Sequence, residues 1–274
     1  MLRRSPTASS DHVVLTLWTN DPATARSADE AGIDRIGIDL DRLGKAERQA
    51  GLGTWLSPHR VEDLQRLRTV VGRASLFART NPLHDGTADE VEGALDAGAQ
   101  VLMLPMFRST EEVSPFVEMV AGRALVVGLL ETAEGVEAVE AVVRVPGLDE
   151  LHVGINDLAL ALGLRNRFEF FLSPAAERIA QAAADAGLRL GVGGIGRLSD
   201  TALPIPPDLV YAQHARLRVT AALISRSFLA TGCDLGAELR QARERLAWWA
   251  RRPPAELERA RQELGAAVAA SGTF

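Results

Sequence analysis

Two carboxylates that close consecutive apolar runs are the residues of this 274-residue sequence best placed to do chemistry. Glu131 follows the run Leu125 to Leu130, and Asp157 follows Val153-Gly154-Ile155-Asn156. A carboxylate emerging from a buried strand must be paired or must bind a cation, because an isolated buried charge is strongly destabilising. Helix capping does not account for Glu131, since glutamate is a poor N-cap and Thr132 beside it is a good one. Asp157, ahead of Leu158-Ala159-Leu160, also reads as an N-cap, and both readings stand at this point. Two carboxylates without histidine or thiolate partners make a hard, oxygen-rich site that suits Mg²⁺ or Mn²⁺, with Co²⁺ or Zn²⁺ as further candidates. The remaining coordination positions would go to water and substrate, which is what metal-assisted catalysis requires. Arg79, in Phe77-Ala78-Arg79-Thr80-Asn81, would supply a fixed cation for a substrate carboxylate or a developing oxyanion; its alternative role is as charge partner of Asp39 or Asp41.

Short Val, Ile and Leu runs alternating with amphipathic stretches must position these groups, and that alternation is the mark of βα units and a parallel sheet. Strands are expected to end near Trp18, Leu40, Arg79, Met106, Glu131, Gly154, Gly194 and Phe228. Helices are expected at Pro22–Ala31, Val61–Val71, Ala88–Ala97, Thr110–Val120, Glu134–Val143, Ala175–Ala186 and Asp208–Val219. Eight such units favour a (β/α)8 TIM barrel of the α/β class, whose chemistry sits at the carboxyl ends of the strands. The organisation expected is a flexible N-terminal arm over 1–11, a catalytic barrel over 12–252 and a C-terminal helical extension over 253–274. Pro253-Pro254 separates a helix over Leu235–Arg251 from one running through Ala269, because proline suits a first helical turn and not an interior. Adjacent Trp248 and Trp249 cannot share a helix face, so one is expected to pack on the final helix or on a neighbouring subunit. The run Gly191-Val192-Gly193-Gly194-Ile195-Gly196-Arg197 offers amides to an anion, with Gly193 and Gly194 closest, or is simply a tight turn.

Composition narrows the partners. A net charge of −6 argues against duplex nucleic acid, and the first apolar run, Val13 to Trp18, is too short to span a bilayer. The one cysteine, Cys233, excludes an internal disulfide and fits a cytoplasmic location. Arg165 and Arg167 read either as solvated loop residues or as selectors of an acidic or phosphorylated partner.

The same residues resemble the HpcH/HpaI aldolase and citrate lyase family. The matching text is Leu130-Glu131-Thr132-Ala133-Glu134-Gly135-Val136-Glu137, Val145-Pro146-Gly147-Leu148-Asp149 and Gly154-Ile155-Asn156-Asp157-Leu158-Ala159-Leu160-Ala161-Leu162-Gly163. Phe77 to Asn81 and Ala97 to Pro105 match as well, in the right order. The resemblance implies metal ligation by Glu131 and Asp157, enolate stabilisation by Arg79, and pyruvate held near Pro105, Met106 and Asn156, in a divalent-metal-dependent class II aldolase. Such an enzyme cleaves or forms a 4-hydroxy-2-oxo acid, with a 2-oxo acid and an aldehyde as partners, in a homo-oligomer (dimer, trimer or hexamer). No Schiff-base lysine is required, which fits a chain whose only lysine is Lys45. The chain departs from the aldolase branch at strand two, where Asp41-Arg42 replaces a Glu-His pair. Asp41 and His59 are then the acid/base candidates, with His214 a weaker one. Asp39-Leu40-Asp41 with Lys45 and Arg48 resembles the acyl-CoA lyase branch instead, so an acyl-CoA lyase or thioesterase, or a non-catalytic oxo-acid-binding barrel, stays open.

Overall fold

The computed structural model describes residues 12–44 and 57–272, so the expected N-terminal arm, Lys45 and Arg48 lie outside the described residues. Eight parallel strands close into a barrel in sequence order. They are β1 (Val14–Trp18), β2 (Arg35–Asp39), β3 (Ser75–Arg79), β4 (Val101–Pro105), β5 (Leu125–Leu130), β6 (Glu150–Val153), β7 (Arg189–Ile195) and β8 (Ala221–Ile224). Around them lie α1 (Pro22–Glu30), α2 (Val61–Arg68), α3 (Thr87–Asp96), α4 (Thr110–Val120), α5 (Ala133–Glu137), α6 (Val139–Val142), α7 (Ile155–Ala161), α8 (Pro174–Asp185) and α9 (Pro207–Arg216). Two further helices, α10 (Leu235–Ala250) and α11 (Pro254–Ser271), follow the barrel and are divided at Pro253-Pro254 as expected. Among the described residues no helix is long and apolar enough to cross a membrane.

Four local expectations are corrected. β8 ends at Ile224, and Phe228 belongs to a 3₁₀ turn, Arg226–Leu229, opened by the Ser225 hydroxyl, which accepts from the Ser227 amide. The helix expected over Glu134–Val143 is two short ones, broken at Ala138. Asp157 is not an N-cap: α7 starts immediately after β6 with Gly154 as its cap, and Asp157 lies one turn inside. The stretch carrying Arg167 is no open loop but a 3₁₀ turn, Arg167–Leu172.

Strand periodicity sends alternate residues to the lumen and to the helices. The outward set joins the helices in one large core that includes Ile36, Leu102, Leu151 and Tyr211. The inward set forms a second, smaller cluster of Phe77, Val101, Met103, Val127 and Leu129, with Trp18 packed against it. Gly37 has to be glycine in this crowd, because a Cβ there would lie 2.6 Å from the Phe77 carbonyl oxygen and 2.9 Å from the Trp18 ring.

The floor of the lumen is ionic. Arg35 opens β2 and Glu150 opens β6, and in an eight-strand ring these strands face each other. The Arg35 guanidinium spans the lumen to grip both Glu150 oxygens, at 2.7 and 2.6 Å. Arg189, at the start of β7, donates to the same carboxylate, and the His152 ring lies 3.4 Å from it. Burial alone would raise the Glu150 carboxyl, but the Arg35 hydrogen bonds outweigh it and hold the group well below the usual carboxylate range. Outside the barrel, Trp249 is buried and donates to Asp208 at 2.8 Å, while half-buried Trp248 lies between the guanidiniums of Arg245 and Arg252, at 4.0 and 4.2 Å.

Glu150→Gln strands two arginines in the interior with their carboxylate gone. Such a change is expected to cost about 3–5 kcal/mol of unfolding free energy in urea titration, and a loss below about 1 kcal/mol would overturn the assignment. Burial also pushes the imidazoles of His152 and His214 down, so both stay neutral in the fold. The unfolded chain therefore takes up protons first, and stability held above about pH 6.5 should fall as the pH drops below it, before carboxylates titrate. Urea midpoints equal at pH 7.5 and 5.5 would contradict this.

Candidate active site

The carboxyl ends of β2, β3, β5 and β6 gather the charged residues of the barrel mouth. Asp39 and Arg79 are direct neighbours in the β2–β3 register and both point inward. Their side chains meet in a two-pronged ion pair, Nε to Oδ1 at 2.8 Å and Nη2 to Oδ2 at 2.7 Å. This geometry fixes the guanidinium plane, which also lies 5.8 Å from the centroid of the Trp18 ring. The third nitrogen, Nη1, lies 3.9 Å from Glu131 Oε1 across the mouth. Burial works against the Arg79 charge, but Asp39, and then Glu131 and Asp41, outweigh it and raise the group above its ordinary value. Arg79 is therefore the partner of Asp39 and also faces Glu131.

Glu131 and Asp157 are both buried, at 3% and 8% exposure, directly beyond the ends of adjacent strands. Thr132 caps α5 by accepting from the Gly135 amide at 3.0 Å and donates to the Phe107 carbonyl at 2.7 Å, which fixes the chain where Glu131 enters the lumen. The Glu131 side chain then lies over Gly154, where a Cβ would come within 2.2 Å of Oε1. Among the described residues no group of three or more His, Cys, Asp or Glu that could hold a metal ion is found; Glu131 and Asp157 are the two buried carboxylates that could serve as protein ligands. The all-oxygen donor set fits a hard cation that keeps open positions.

Other candidates divide by location. Asp41 is buried at the mouth and its amide donates to Asp39 at 3.2 Å. His59 is buried, and its Nδ1 accepts the Asp39 amide at 3.0 Å, which leaves the ring proton on Nε2. Burial, helped by Arg42, lowers its pKa against the pull of Asp39 and Asp63. The ring borders a cavity of about 280 Å³ that Arg42, Arg60, Asn81 and Glu90 also line. Arg42 itself turns back to donate to the His59 carbonyl at 2.5 Å. His214 is sealed within α9, with Nδ1 2.9 Å from the Val210 carbonyl, far from strand ends. Pro105 closes β4 with no N–H to offer, and Met103 and Leu104 lie within the strand, so the amide of Met106, at φ 58°, is the donor left there. Asn156 is exposed beside Asp157, and Gly193 and Gly194 lie in the irregular end of β7, Gly194 at φ 84°.

The model of the HpcH/HpaI aldolase/citrate lyase family matches residues 12–192. The chain belongs to that family. Membership supports carbon–carbon lyase chemistry of the aldolase or citrate lyase type on small organic acids. A family protein from Burkholderia cenocepacia J2315 has a similar structure, with TM-score 0.62 and 21% identity, over 86% of this chain and 94% of that one. An HpcH/HpaI aldolase from Desulfitobacterium hafniense DCB-2 gives 0.59 and 17%, over 90% and 96%. The citrate synthase SbnG gives 0.60 and 17%, over 85% and 94%. At these identities the likeness is one of fold, and among curated proteins none matches the sequence.

At the candidate site, the supporting residues were not legible in the sequence. Asn81 accepts the Arg42 and Leu43 amides at 2.8 and 3.0 Å and donates to Glu90 at 2.8 Å, which ties the β2 loop to α3. The need for glycine at 154 was hidden too, although a glycine two positions before Asn156 was a visible signal. Gly154→Ala is expected to displace the Glu131 carboxylate and lower unfolding free energy by about 1–3 kcal/mol. A crystal structure of that variant with Glu131 unmoved would refute the contact.

Proposed function

We propose that the protein is a divalent-metal-dependent class II lyase that cleaves or forms a 4-hydroxy-2-oxo acid, with pyruvate and an aldehyde as the other side of the equilibrium. The observation that carries this reading is the Arg79 guanidinium, locked by Asp39 and left with one nitrogen facing Glu131. A rigid cation at this place meets negative charge that develops on an enolate oxygen without reorganising during the reaction. Glu131 and Asp157 would hold Mg²⁺ or Mn²⁺, which when bound supplies Lewis-acid polarisation of the 2-oxo group. In the cleavage direction the C3–C4 bond breaks, its electron pair passes into the enolate, and the C4 hydroxyl loses its proton as the aldehyde carbonyl forms.

The residues that move that proton are assigned to the β2 side of the mouth. Asp41 is the carboxylate there, and His59 presents a proton on Nε2 because Nδ1 already accepts the Asp39 amide. One group must remove that proton in cleavage and return it in condensation, and Asp41 suits the duty, with the neutral His59 ring donating a hydrogen bond from Nε2 to the same oxygen. Met106 would contribute an amide to the pyruvyl carboxylate. Localisation in the cytoplasm and a homo-oligomeric state complete the reading.

The test is deuterium exchange into the pyruvate methyl group, followed by proton NMR with and without Mn²⁺. It reads enolate formation alone and needs no knowledge of the aldehyde. Metal-dependent exchange that falls at least a hundredfold in Glu131→Gln is expected. No exchange by the unmodified protein, with pyruvate binding demonstrated separately, would overturn the aldolase reading.

A further inference from the structure

Arg167 is a cation that the protein positions and then leaves without a counter-charge. It opens the 3₁₀ turn behind α7 and reaches back to Asn156, with Nη1 3.4 Å from Oδ1. Its guanidinium also lies over the Phe168 ring, 5.1 Å from the centroid. It makes no ion pair with any described carboxylate, and burial, the one cause acting on it, lowers its pKa. Nearby arginines of the mouth behave differently. Arg165 reaches Glu169 at 3.6 Å, Arg197 reaches Glu238 at 3.6 Å, and Arg79 is gripped by Asp39.

The backbone that carries Arg167 is pinned from several sides. Asn166 accepts the Phe168 amide at 3.0 Å and donates to Ser271 Oγ at 3.1 Å and to the Gly272 carbonyl at 3.2 Å. Further along the turn, Arg216 donates to the Phe171 carbonyl at 2.6 Å and Arg261 to the Leu172 carbonyl at 3.1 Å. Phe170 and Phe171 are buried beneath. A partly desolvated guanidinium with free donors, on a fixed support, is preorganised for an oxyanion, because the ordering entropy has been lost before the ligand arrives.

Its place selects which anion. Asn156 immediately precedes Asp157 at the end of β6, and β6 lies three strands round the ring from β3, which carries Arg79. We infer that Arg167 is a specificity-determining residue that binds a carboxylate or phosphate at the far end of the aldehyde partner, on the opposite side of the mouth from the Arg79 that serves the enolate. This rests on the aldolase reading for what enters the mouth, but not for the presence of the anion site itself.

Two measurements test it. The first is calorimetric titration of inorganic phosphate, and separately acetate, into the full-length protein and its Arg167→Gln and Arg165→Gln variants, which needs no catalysis. At least fivefold weaker binding of one or both anions in Arg167→Gln, with Arg165→Gln unchanged, is expected; equal affinities overturn the site. The second compares kcat/KM for condensation of pyruvate with glyoxylate, glycolaldehyde phosphate or glyceraldehyde 3-phosphate against glycolaldehyde and glyceraldehyde. The unmodified protein should prefer the anionic member of a pair, carboxylate or phosphate as the arms decide, and that preference should fall at least tenfold in Arg167→Gln and be largely kept in Arg167→Lys. A preference that survives Arg167→Gln, or its absence from the unmodified protein, overturns the role in specificity. If pyruvate exchange itself is absent, the aldolase reading fails and the phosphate and acetate titrations alone judge Arg167.

Discussion

A guanidinium that is to meet developing charge has to be removed from water and yet kept from swinging, and the two-pronged contact of Arg79 with Asp39 satisfies both conditions. Much of the mouth follows from it. The partners are adjacent in the β2–β3 register, so any slip of one strand would send one of them to the helix layer and leave the other buried alone. The Asp39 amide is taken by His59, and Asp39 Oδ1 accepts from Asp41. One aspartate thus organises the arginine and the second aspartate through its carboxylate and the histidine through its amide. The remaining Arg79 nitrogen faces Glu131 at 3.9 Å.

The opposite end of the lumen solves a different problem with the same residue types. Arg35, Glu150 and Arg189 are bound into one buried network, with His152 against it, so their charges are spent on each other. Gly191 makes room for that histidine, since a Cβ would lie 2.3 Å from its ring. Between this floor and the mouth sits the apolar layer of Phe77, Met103, Val127 and Leu129. Such an apolar layer has a low dielectric, which strengthens the ion pairs on either side of it. The two ends differ in composition: the floor gathers Arg35 and Arg189 on the single carboxylate of Glu150, whereas the mouth gathers Asp39, Asp41, Glu131 and Asp157 around Arg79.

The barrel was legible because its signal is repetitive. Eight apolar runs with amphipathic stretches between them leave few topologies, and the polar residues closing each run marked the mouth. Legibility failed where identity depends on a distant partner. Arg35 and Glu150 are 115 positions apart, and nothing local in Arg-Ile-Gly-Ile-Asp distinguishes a lumen arginine from a surface one. The pairing of Arg79 was narrowed to Asp39 or Asp41, because both are one strand away; only the register decides for Asp39. Asp157 was ambiguous for a reason of the same kind. Aspartate before an apolar helix usually caps it, but here α7 starts at once from Gly154 because the chain must turn straight out of β6 beneath Glu131.

The replacement of Glu-His by Asp41-Arg42 at strand two has a physical meaning once the neighbours are placed. An arginine at 42 cannot exchange protons near neutral pH, and here it is turned outward to the His59 carbonyl while its amide is held by Asn81. It therefore fixes the segment that carries His59. The imidazole remains, but it comes from a different stretch of chain and is locked in one tautomer by the Asp39 amide. A ring so fixed can donate a hydrogen bond from Nε2 only. Asp41 is buried just beyond the end of β2 and its amide donates to Asp39 Oδ1, so Asp39 anchors the ring through its amide and the second aspartate through its carboxylate.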